Sequence, residues 1–250
     1  MLQTIAKVGP VLDLFTEDHT EWGVSEAAEA LGIPRSTAHS LLSSLAETGL
    51  LMVSSKGRYR LGWRIIELNA VMHAGNDIRS VAEPVLLDLN EQTGETTNLG
   101  VLDRGYVIYL DKLAARHQVG VTGVRIGAKL EAHCSAIGKV LLAYESAARV
   151  QAILASPTLR RFTDKTITDP QVLERELEMI RSQGVAYESG EAVADVACIA
   201  APVKDAYGVV VAAVSITGPE FRVDAHRETL GRAVKGAAAN ITARLTIHKR

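Results

Sequence analysis

Aromatic residues and cysteines are both scarce in this sequence, and each scarcity excludes a class of protein. Phe, Trp and Tyr make up 4% of the 250 residues, so aliphatic side chains must fill the core. The two cysteines, Cys134 and Cys198, form no CxxC pair, which argues against a disulfide framework and against a zinc finger. We therefore expect no resident metal or other cofactor, and we expect both thiols to behave as small buried apolar groups.

No long apolar run is present either. A helix that spans a bilayer needs about 20 consecutive apolar residues, and no stretch approaches that length. The first residues carry no basic head followed by an apolar stretch and a small-residue cleavage site, as a secretory signal would. These absences lead us to expect a cytoplasmic protein that has no membrane partner.

The formal net charge of −2 does not by itself indicate a nucleic-acid binder. The distribution of charge is nevertheless uneven. Residues 1–32 contain one basic residue against six acids, whereas residues 33–64 contain five basic residues against one acid. A locally basic segment of this kind is typical of a phosphate-binding surface, although chance clustering would produce the same pattern.

Three short helices are predicted in the first part of the chain. Apolar residues three or four apart predict a helix over residues 2–15. Ser25 is placed to cap a second helix, which ends at Gly32. Pro34 then begins a third helix that extends to Gly49, because its missing N–H costs nothing at that position.

The third predicted helix has two faces of different character. The apolar face consists of Ala38, Leu41, Leu42 and Leu45. The second face consists of Ser36, His39, Ser40 and Ser43. Ordinary solvated helix faces prefer Glu and Lys, whereas short hydroxyls and one imidazole can approach another molecule closely. This second face is therefore a candidate recognition surface.

A basic hairpin follows the third helix. Residues 50–53 and 58–61 are predicted to be short strands around a turn, and the hairpin carries Lys56, Arg58 and Arg60. Three short helices and a basic hairpin are the parts of a winged helix-turn-helix, whose recognition helix places its N-terminal residues against base edges. The alternative is a three-helix bundle that has no nucleic-acid role.

The expected DNA contacts divide between the recognition helix and the hairpin. Arg35 is suited to read a guanine edge bidentately or to hold a phosphate, and Thr37 and the serines suit phosphate contacts. The hairpin cations would hold the flanking backbone. The full set of expected contact residues is Ser25, Arg35, Ser36, Thr37, His39, Ser40, Ser43, Lys56, Arg58 and Arg60.

A further helix is predicted over residues 63–73, and the Gly-Asn-Asp sequence at 75–77 interrupts it. The apolar stripe of this helix is Ile65, Ile66, Leu68 and Met72. That stripe fits a dimerising linker helix, but it fits packing within one chain equally well. We therefore divide the chain into a winged helix-turn-helix (1–62), a linker helix (63–77) and a C-terminal domain (78–250).

The C-terminal domain is predicted to combine strands and helices. Tight turns join the strand at 97–102 to that at 106–110, and the strand at 198–203 to that at 209–217. A further strand is expected over 117–124. Strands paired by tight turns and flanked by helices indicate an α+β fold with a largely antiparallel sheet.

Several longer segments occur together in one order: SEAA at 25–28, LGIPRSTAH at 31–39, GAKLEAHCSAIGKVLLA at 127–143 and CIAAPVKDAYGVVVAAVSITGP at 198–219. With these segments the chain resembles the IclR family of bacterial regulators over nearly its whole length. The resemblance implies a winged helix-turn-helix, a linker helix and a GAF-like effector domain. It also implies a homodimer or tetramer on palindromic double-stranded DNA. Family recognition helices often carry a basic residue where this chain has Ser40.

The resemblance also implies a ligand between the sheet and the loop before Ser135. The positions that match the family's ligand site are Ala136, Ile137, Glu188, Cys198, Ser215 and Thr217. A helix N-terminus attracts anions, and Val119 and Val121 would supply an apolar wall, so a small organic acid is the expected effector. Glu188 would repel an anion unless one of the two is protonated. Alternatively, Glu188 accepts a ligand hydroxyl or faces solvent.

An enzyme is the rival class, but the sequence contains no GxSxG, HExxH, GxxxxGK[ST] or GxGxxG motif. We therefore expect a sequence-specific transcriptional regulator, with repression favoured over activation, whose DNA binding responds to a small organic acid. The alternative is a DNA-binding protein whose C-terminal domain only oligomerises. In that case Ser215 and Thr217 would be ordinary strand hydroxyls.

Overall fold

The computed structural model describes residues 3–74, 78–116, 125–154 and 159–247. It divides the chain into two compact units, Met1–Asp77 and Ile78–Arg250. The predicted α+β fold class, with an N-terminal winged helix-turn-helix and a C-terminal antiparallel sheet flanked by helices, is confirmed. The finer division of the N-terminal unit at residue 62 stays a prediction.

The N-terminal unit is a helical cluster closed by a small antiparallel sheet. Its elements are α1 (Gln3–Ala6), α2 (Val8–Asp13), β1 (Glu21–Trp22), α3 (Val24–Leu31), α4 (Arg35–Glu47), β2 (Leu51–Val53), β3 (Tyr59–Leu61) and α5 (Arg64–Ala74). The strand order is β1-β3-β2. Val11, Leu42 and Leu51 are buried together in its core, and each such side chain contributes about 1.5–3 kcal/mol when it leaves water.

Two local expectations for this unit are wrong, and one short strand was missed. The helix expected over residues 2–15 is two helices separated at Lys7, because Pro10 donates no N–H and its ring collides with the carbonyl four residues earlier. Ser25 does not cap α3, since the helix already begins at Val24 and the cap position is Gly23. Strand β1 was not expected; Trp22 holds it in place by donating to the Leu14 carbonyl at 2.8 Å.

The C-terminal unit is built on one antiparallel sheet, whose described strands run in the order β6-β5-β4-β9-β8-β7. The elements are α6 (Ile78–Thr93), β4 (Thr96–Asp103), β5 (Tyr106–Leu113), β6 (Lys129–Glu131), α7 (Ala136–Ala143), α8 (Ala147–Leu154), α9 (Pro170–Gln183), β7 (Ala186–Ser189), β8 (Val196–Lys204), β9 (Val210–Pro219), α10 (Glu220–Ala225) and α11 (Arg227–Ile247). The strand expected over 117–124 lies outside the described residues.

The two faces of this sheet bury different kinds of side chain. One face carries large aliphatic residues such as Ile199 and Ile216, and α6 and α11 pack against it. The opposite face carries Ala200 and Ala213, and α7, α8 and α9 cover it. Because alanine occupies little volume, α7 can lie close to the strands. Helix α6 runs unbroken through Pro84.

Helix α7 makes its tightest contact at Gly138. A β-carbon there would lie 2.1 Å from the Ala132 carbonyl oxygen and 2.4 Å from the Ala132 α-carbon. Both atoms belong to the backbone and cannot rotate away. The first turn of α7 therefore requires glycine at this position.

Among the described helices of the chain, none has the length and apolar character needed to cross a membrane.

We predict that Gly138→Ala lowers the free energy of unfolding by on the order of 2–3 kcal/mol, because the methyl group overpacks a backbone contact. Gly236→Ala in α11 is the matched control, since a β-carbon there meets no atom within 4 Å. The control should gain roughly 0.5–1 kcal/mol from helix propensity. Urea unfolding of both variants measures these changes, and equal stabilities would contradict the prediction.

Candidate nucleic-acid interface and ligand site

Helix α4 presents its predicted polar face to solvent. Ala38, Leu41, Leu42 and Leu45 are buried, which confirms the apolar face. Arg35, Ser36, His39 and Ser40 are exposed, and Thr37 is half-buried. The helix begins directly after Pro34, so these residues occupy its first turns. Within the N-terminal unit, this surface is available to a partner.

Ser43 and Ser25, two further expected contact residues, lie in different local surroundings. The hydroxyl of Ser43 donates to the His39 carbonyl at 2.9 Å and lies 3.3 Å from the Ser40 carbonyl, so in this conformation its oxygen is left as an acceptor for an outside group. Ser25 is exposed in the first turn of α3, beside Glu26, whose carboxylate accepts the Gly23 N–H at 3.1 Å.

The hairpin of β2 and β3 forms the wing. The Gly57 N–H donates to the Ser54 carbonyl at 2.9 Å, and Gly57 has a φ of 71°, which glycine adopts without strain. Lys56 and Arg60 are both exposed on this hairpin. Their charges are free to face a phosphate backbone.

Arg58, the third cation of the wing, already has partners within the unit. Its guanidinium donates to both carboxylate oxygens of Glu26, at 3.0 and 2.6 Å, and to the Glu21 carbonyl at 2.9 Å. The hydrogen bond from Arg58 lowers the pKa of Glu26 to about 2. A bidentate pair of this kind fixes geometry as well as charge. In this arrangement Arg58 joins the wing to α3. The contact that we expect between Arg58 and a DNA phosphate stays a prediction.

Four of the expected ligand residues lie on one face of the C-terminal sheet. The strand register places Glu188 opposite Cys198, and Cys198 opposite Thr217, while Ser215 lies two residues along the same strand. Alternate residues of a strand share a face, so these side chains point toward α7. The Cys198 sulfur lies 3.2 Å from the Thr217 hydroxyl.

The structure adds Asn98 and Tyr109 to this group, and neither was expected from the sequence. Asn98 is 3% exposed, and its amide nitrogen donates to the Ser215 and Thr217 hydroxyls, each at 3.2 Å. Tyr109 is buried and bonded to Ser135. The signal that was available is the polar run at 95–98 within a buried strand. We call Asn98, Tyr109, Ser135, Glu188, Cys198, Ser215 and Thr217 the polar cluster.

One atom of the polar cluster lacks a partner. Among the residues that the structure describes, the side-chain oxygen of Asn98 is buried and accepts no hydrogen bond. Leaving a buried acceptor unpaired costs about 1–3 kcal/mol. This atom is therefore suited to accept a hydrogen bond from an N–H or O–H group of a bound molecule.

The backbone of Glu191 fixes the carboxylate of Glu188 within the cluster. Its carboxylate accepts the Glu191 N–H at 2.5 Å, and burial raises its pKa from 4.5 to about 7. Glu191 in turn bonds Lys139, which has no exposed surface and also donates to Glu176 at 2.7 Å. This chain of contacts joins the cluster to α7 and α9.

The remaining expected ligand residues have mixed outcomes. Ala136 and Ile137 are buried in the first turn of α7, where helix N–H groups have no partner within the helix. Val119 and Val121 lie outside the described residues.

Burial raises the pKa of Cys134 to about 12 and that of Cys198 well above its usual value, so both thiols are protonated at neutral pH. Within the described ranges, no three His, Cys, Asp or Glu side chains could hold a metal ion.

Comparison with protein families gives matches over both units. The family model described as IclR helix-turn-helix domain matches residues 4–53, and that described as Bacterial transcriptional regulator IclR C-terminal matches residues 70–243.

Similar proteins include two regulators from Escherichia coli strain K12. The HTH-type transcriptional regulator XynR is 34% identical and covers 90% of this chain and 89% of its own length. The transcriptional repressor IclR is 29% identical, with 96% and 89% covered. A solved IclR homolog from Microbacterium hydrocarbonoxydans, complexed with 4-hydroxybenzoate, has a TM-score of 0.83 at 30% identity over 98% of this chain and 99% of its own.

We predict that Glu188→Gln is more stable than wild type at pH 8, and that this advantage largely disappears at pH 5. The folded carboxyl has a raised pKa, so ionisation of wild-type Glu188 destabilises the fold progressively between pH 4.5 and about 7. At about 1.4 kcal/mol per pKa unit, the penalty above pH 7 is on the order of 3 kcal/mol, and the neutral amide avoids it.

The measurement is the melting temperature of both proteins from pH 4.5 to 8.5. The exposed residue Glu178 on α9 supplies the matched control, Glu178→Gln. If the difference between Glu188→Gln and wild type stays constant across this range, the raised pKa of Glu188 is wrong.

Proposed function

The chain belongs to the IclR family of bacterial transcriptional regulators, and from this premise we propose that it represses transcription from a palindromic operator until a small organic acid occupies the polar cluster. The family and the relatives are transcriptional regulators and not enzymes. Two of the relatives are named as repressors, which favours repression over activation. The observation that carries the DNA-binding part is the exposed polar face of α4 beside the basic wing.

DNA recognition is proposed to divide between α4 and the wing. Arg35 is exposed at the start of α4, where it would enter the major groove and read a base edge. Ser36, Thr37, His39 and Ser40 line the same face, with Ser25 and Ser43 at its margins. Lys56 and Arg60 would hold the backbone, while Arg58 positions the wing through Glu26. Because α4 has one permanent cation, the wing supplies much of the salt-dependent affinity.

The effector part of the proposal rests on the hydrogen-bond pattern around Asn98. Its amide nitrogen donates to the oxygens of Ser215 and Thr217, so the Ser215 hydroxyl proton is free to donate to a ligand carboxylate. The unpaired amide oxygen of Asn98 would accept a ligand hydroxyl. The first turn of α7, at Ala136 and Ile137, adds N–H groups that favour an anion.

Protonation of Glu188 makes the site compatible with an acid. With a pKa raised to about 7, Glu188 is partly neutral near physiological pH and can donate to a carboxylate. Above that pH its charge would repel an anion. A carboxylate that also carries a hydroxyl therefore matches these partners best.

We propose that the protein is a dimer or a higher oligomer. Helix α5 exposes several large apolar side chains in its unit, and Trp63 just before it is also exposed. These are Trp63, Ile66, Leu68, Val71 and Met72. Helical spacing places Leu68, Val71 and Met72 on one face of α5, and an exposed apolar face is typical of a protein interface. Light scattering of the full chain tests this, since a monomer at micromolar concentration contradicts it.

We predict different effects for the helix and the wing in DNA binding. Arg60→Ala should weaken binding to specific and random duplexes alike, and it should reduce the salt slope of log affinity by about 0.9. Arg35→Ala should reduce discrimination by about 1–3 kcal/mol, because a bidentate base contact is lost. A mobility-shift titration with the DNA upstream of its own gene, at several salt concentrations, measures both.

Arg244→Ala is the matched control, since Arg244 is an exposed cation on α11 in the other unit. An equal loss of affinity on all sequences for Arg35→Ala would show that Arg35 holds phosphate and reads no base. An unchanged salt slope for Arg60→Ala would remove the wing from the interface.

We predict that an organic acid raises the melting temperature and releases the operator. The first probe is 4-hydroxybenzoate, and a ligand at 100 times its dissociation constant adds about 2.7 kcal/mol of stability. Affinity should fall as the pH rises through about 7, where Glu188 ionises. Ser215→Ala should weaken binding about tenfold, which corresponds to one lost hydrogen bond to a charged group.

Thr229→Ala, an exposed hydroxyl on α11, is the matched control for Ser215→Ala. If no acid in a screen shifts the melting temperature or changes operator affinity, the effector part fails, and the C-terminal unit only oligomerises. The DNA-binding part would stand in that case.

A further inference from the structure

A groove lies at the β7 edge of the sheet. Helix α9 covers the face that carries the polar cluster, and α11 covers the other face. Between the two helices, across edge strand β7, is a groove of about 700 Å³. Its lining includes Met179, Tyr187, Arg227, Gly231, Arg232 and Lys235. The proposed function does not use this groove.

The groove has a surplus of positive charge. Arg227, Arg232 and Lys235 come from successive turns of α11 and line one wall. Of the two acids in the lining, Glu176 is already bonded to buried Lys139. Glu228 has a 93% exposed side chain and lies 3.9 Å from Arg232, so it offsets little of the charge.

The cations are arranged around an apolar recess. The Arg227 guanidinium lies over the Tyr187 ring, 3.7 Å from its centroid, which restricts its motion and leaves its N–H edges available. A β-carbon at Gly231 would meet no atom within 4 Å, so open space separates Arg227 from Lys235. Met179, with 54% of its surface exposed, supplies an apolar wall from α9.

We propose that this groove is a second ligand site, which binds an organic anion with a flat apolar body, such as an aromatic carboxylate or sulfonate. Arg232 and Lys235 pair with the anionic group, because their charges have no strong partner in the groove. The flat body lies against Met179 and Tyr187. Mixed cationic and apolar lining favours this class over a simple inorganic ion, which would use only the charges.

The test is calorimetric titration of the full chain with naphthalene-2-sulfonate. Arg232→Gln should weaken binding about five- to tenfold, since one charged contact is lost. Arg244→Gln, which removes the same charge from the same helix outside the groove, should bind like wild type. Gly231→Leu should also weaken binding at least fivefold, because the side chain fills the recess while every cation remains.

Two results would overturn this second site. Equal affinity in wild type, Arg232→Gln and Gly231→Leu would show that the groove does not hold the probe. Loss of binding in Ser215→Ala, without loss in Arg232→Gln, would place the probe in the polar cluster instead. Failure of this site leaves the proposed effector site intact, because the two depend on different variants.

Discussion

The close approach of α7 to the sheet is the contact on which the C-terminal unit depends. Gly138 lies against the backbone of Ala132, and Ala200 and Ala213 add little bulk on the facing strands. Glycine at position 100 has the same effect, since a β-carbon there would reach Ile137 at 3.0 Å. Because no large side chain intervenes, α7 packs directly on the sheet face that carries the buried hydroxyls. Larger residues at these positions would separate the two halves of the polar cluster.

Internal ion pairs decide which charges remain for binding. Arg58 is one of three wing cations in the sequence, but its bidentate contact with Glu26 links the wing to α3. Lys139 is likewise committed, because its buried ammonium contacts the carboxylates of Glu176 and Glu191. The exposed cations Lys56 and Arg60 are left for phosphate. Counting basic residues along the chain cannot make this distinction.

Periodicity was a reliable guide where burial repeats at helical or strand spacing. It predicted α4 with its four buried residues and the β4–β5 and β8–β9 hairpins, because the same spacing that marks an apolar face also specifies the element. It failed at the cap of α3, where Gly23 takes the place expected of Ser25. It also missed β1, because two residues are too few to show a period.

The sequence by itself determined the family, the α+β class, the polar face of α4 and the hydroxyls of β9, since each follows from local spacing or from an ordered motif. Only the tertiary structure decided which residues share a site. Asn98 joins Ser215 and Thr217 across more than a hundred residues of chain, and Arg58 meets Glu26 across thirty-two. Contacts at such separations depend on strand order and helix packing, which no local pattern in the chain records.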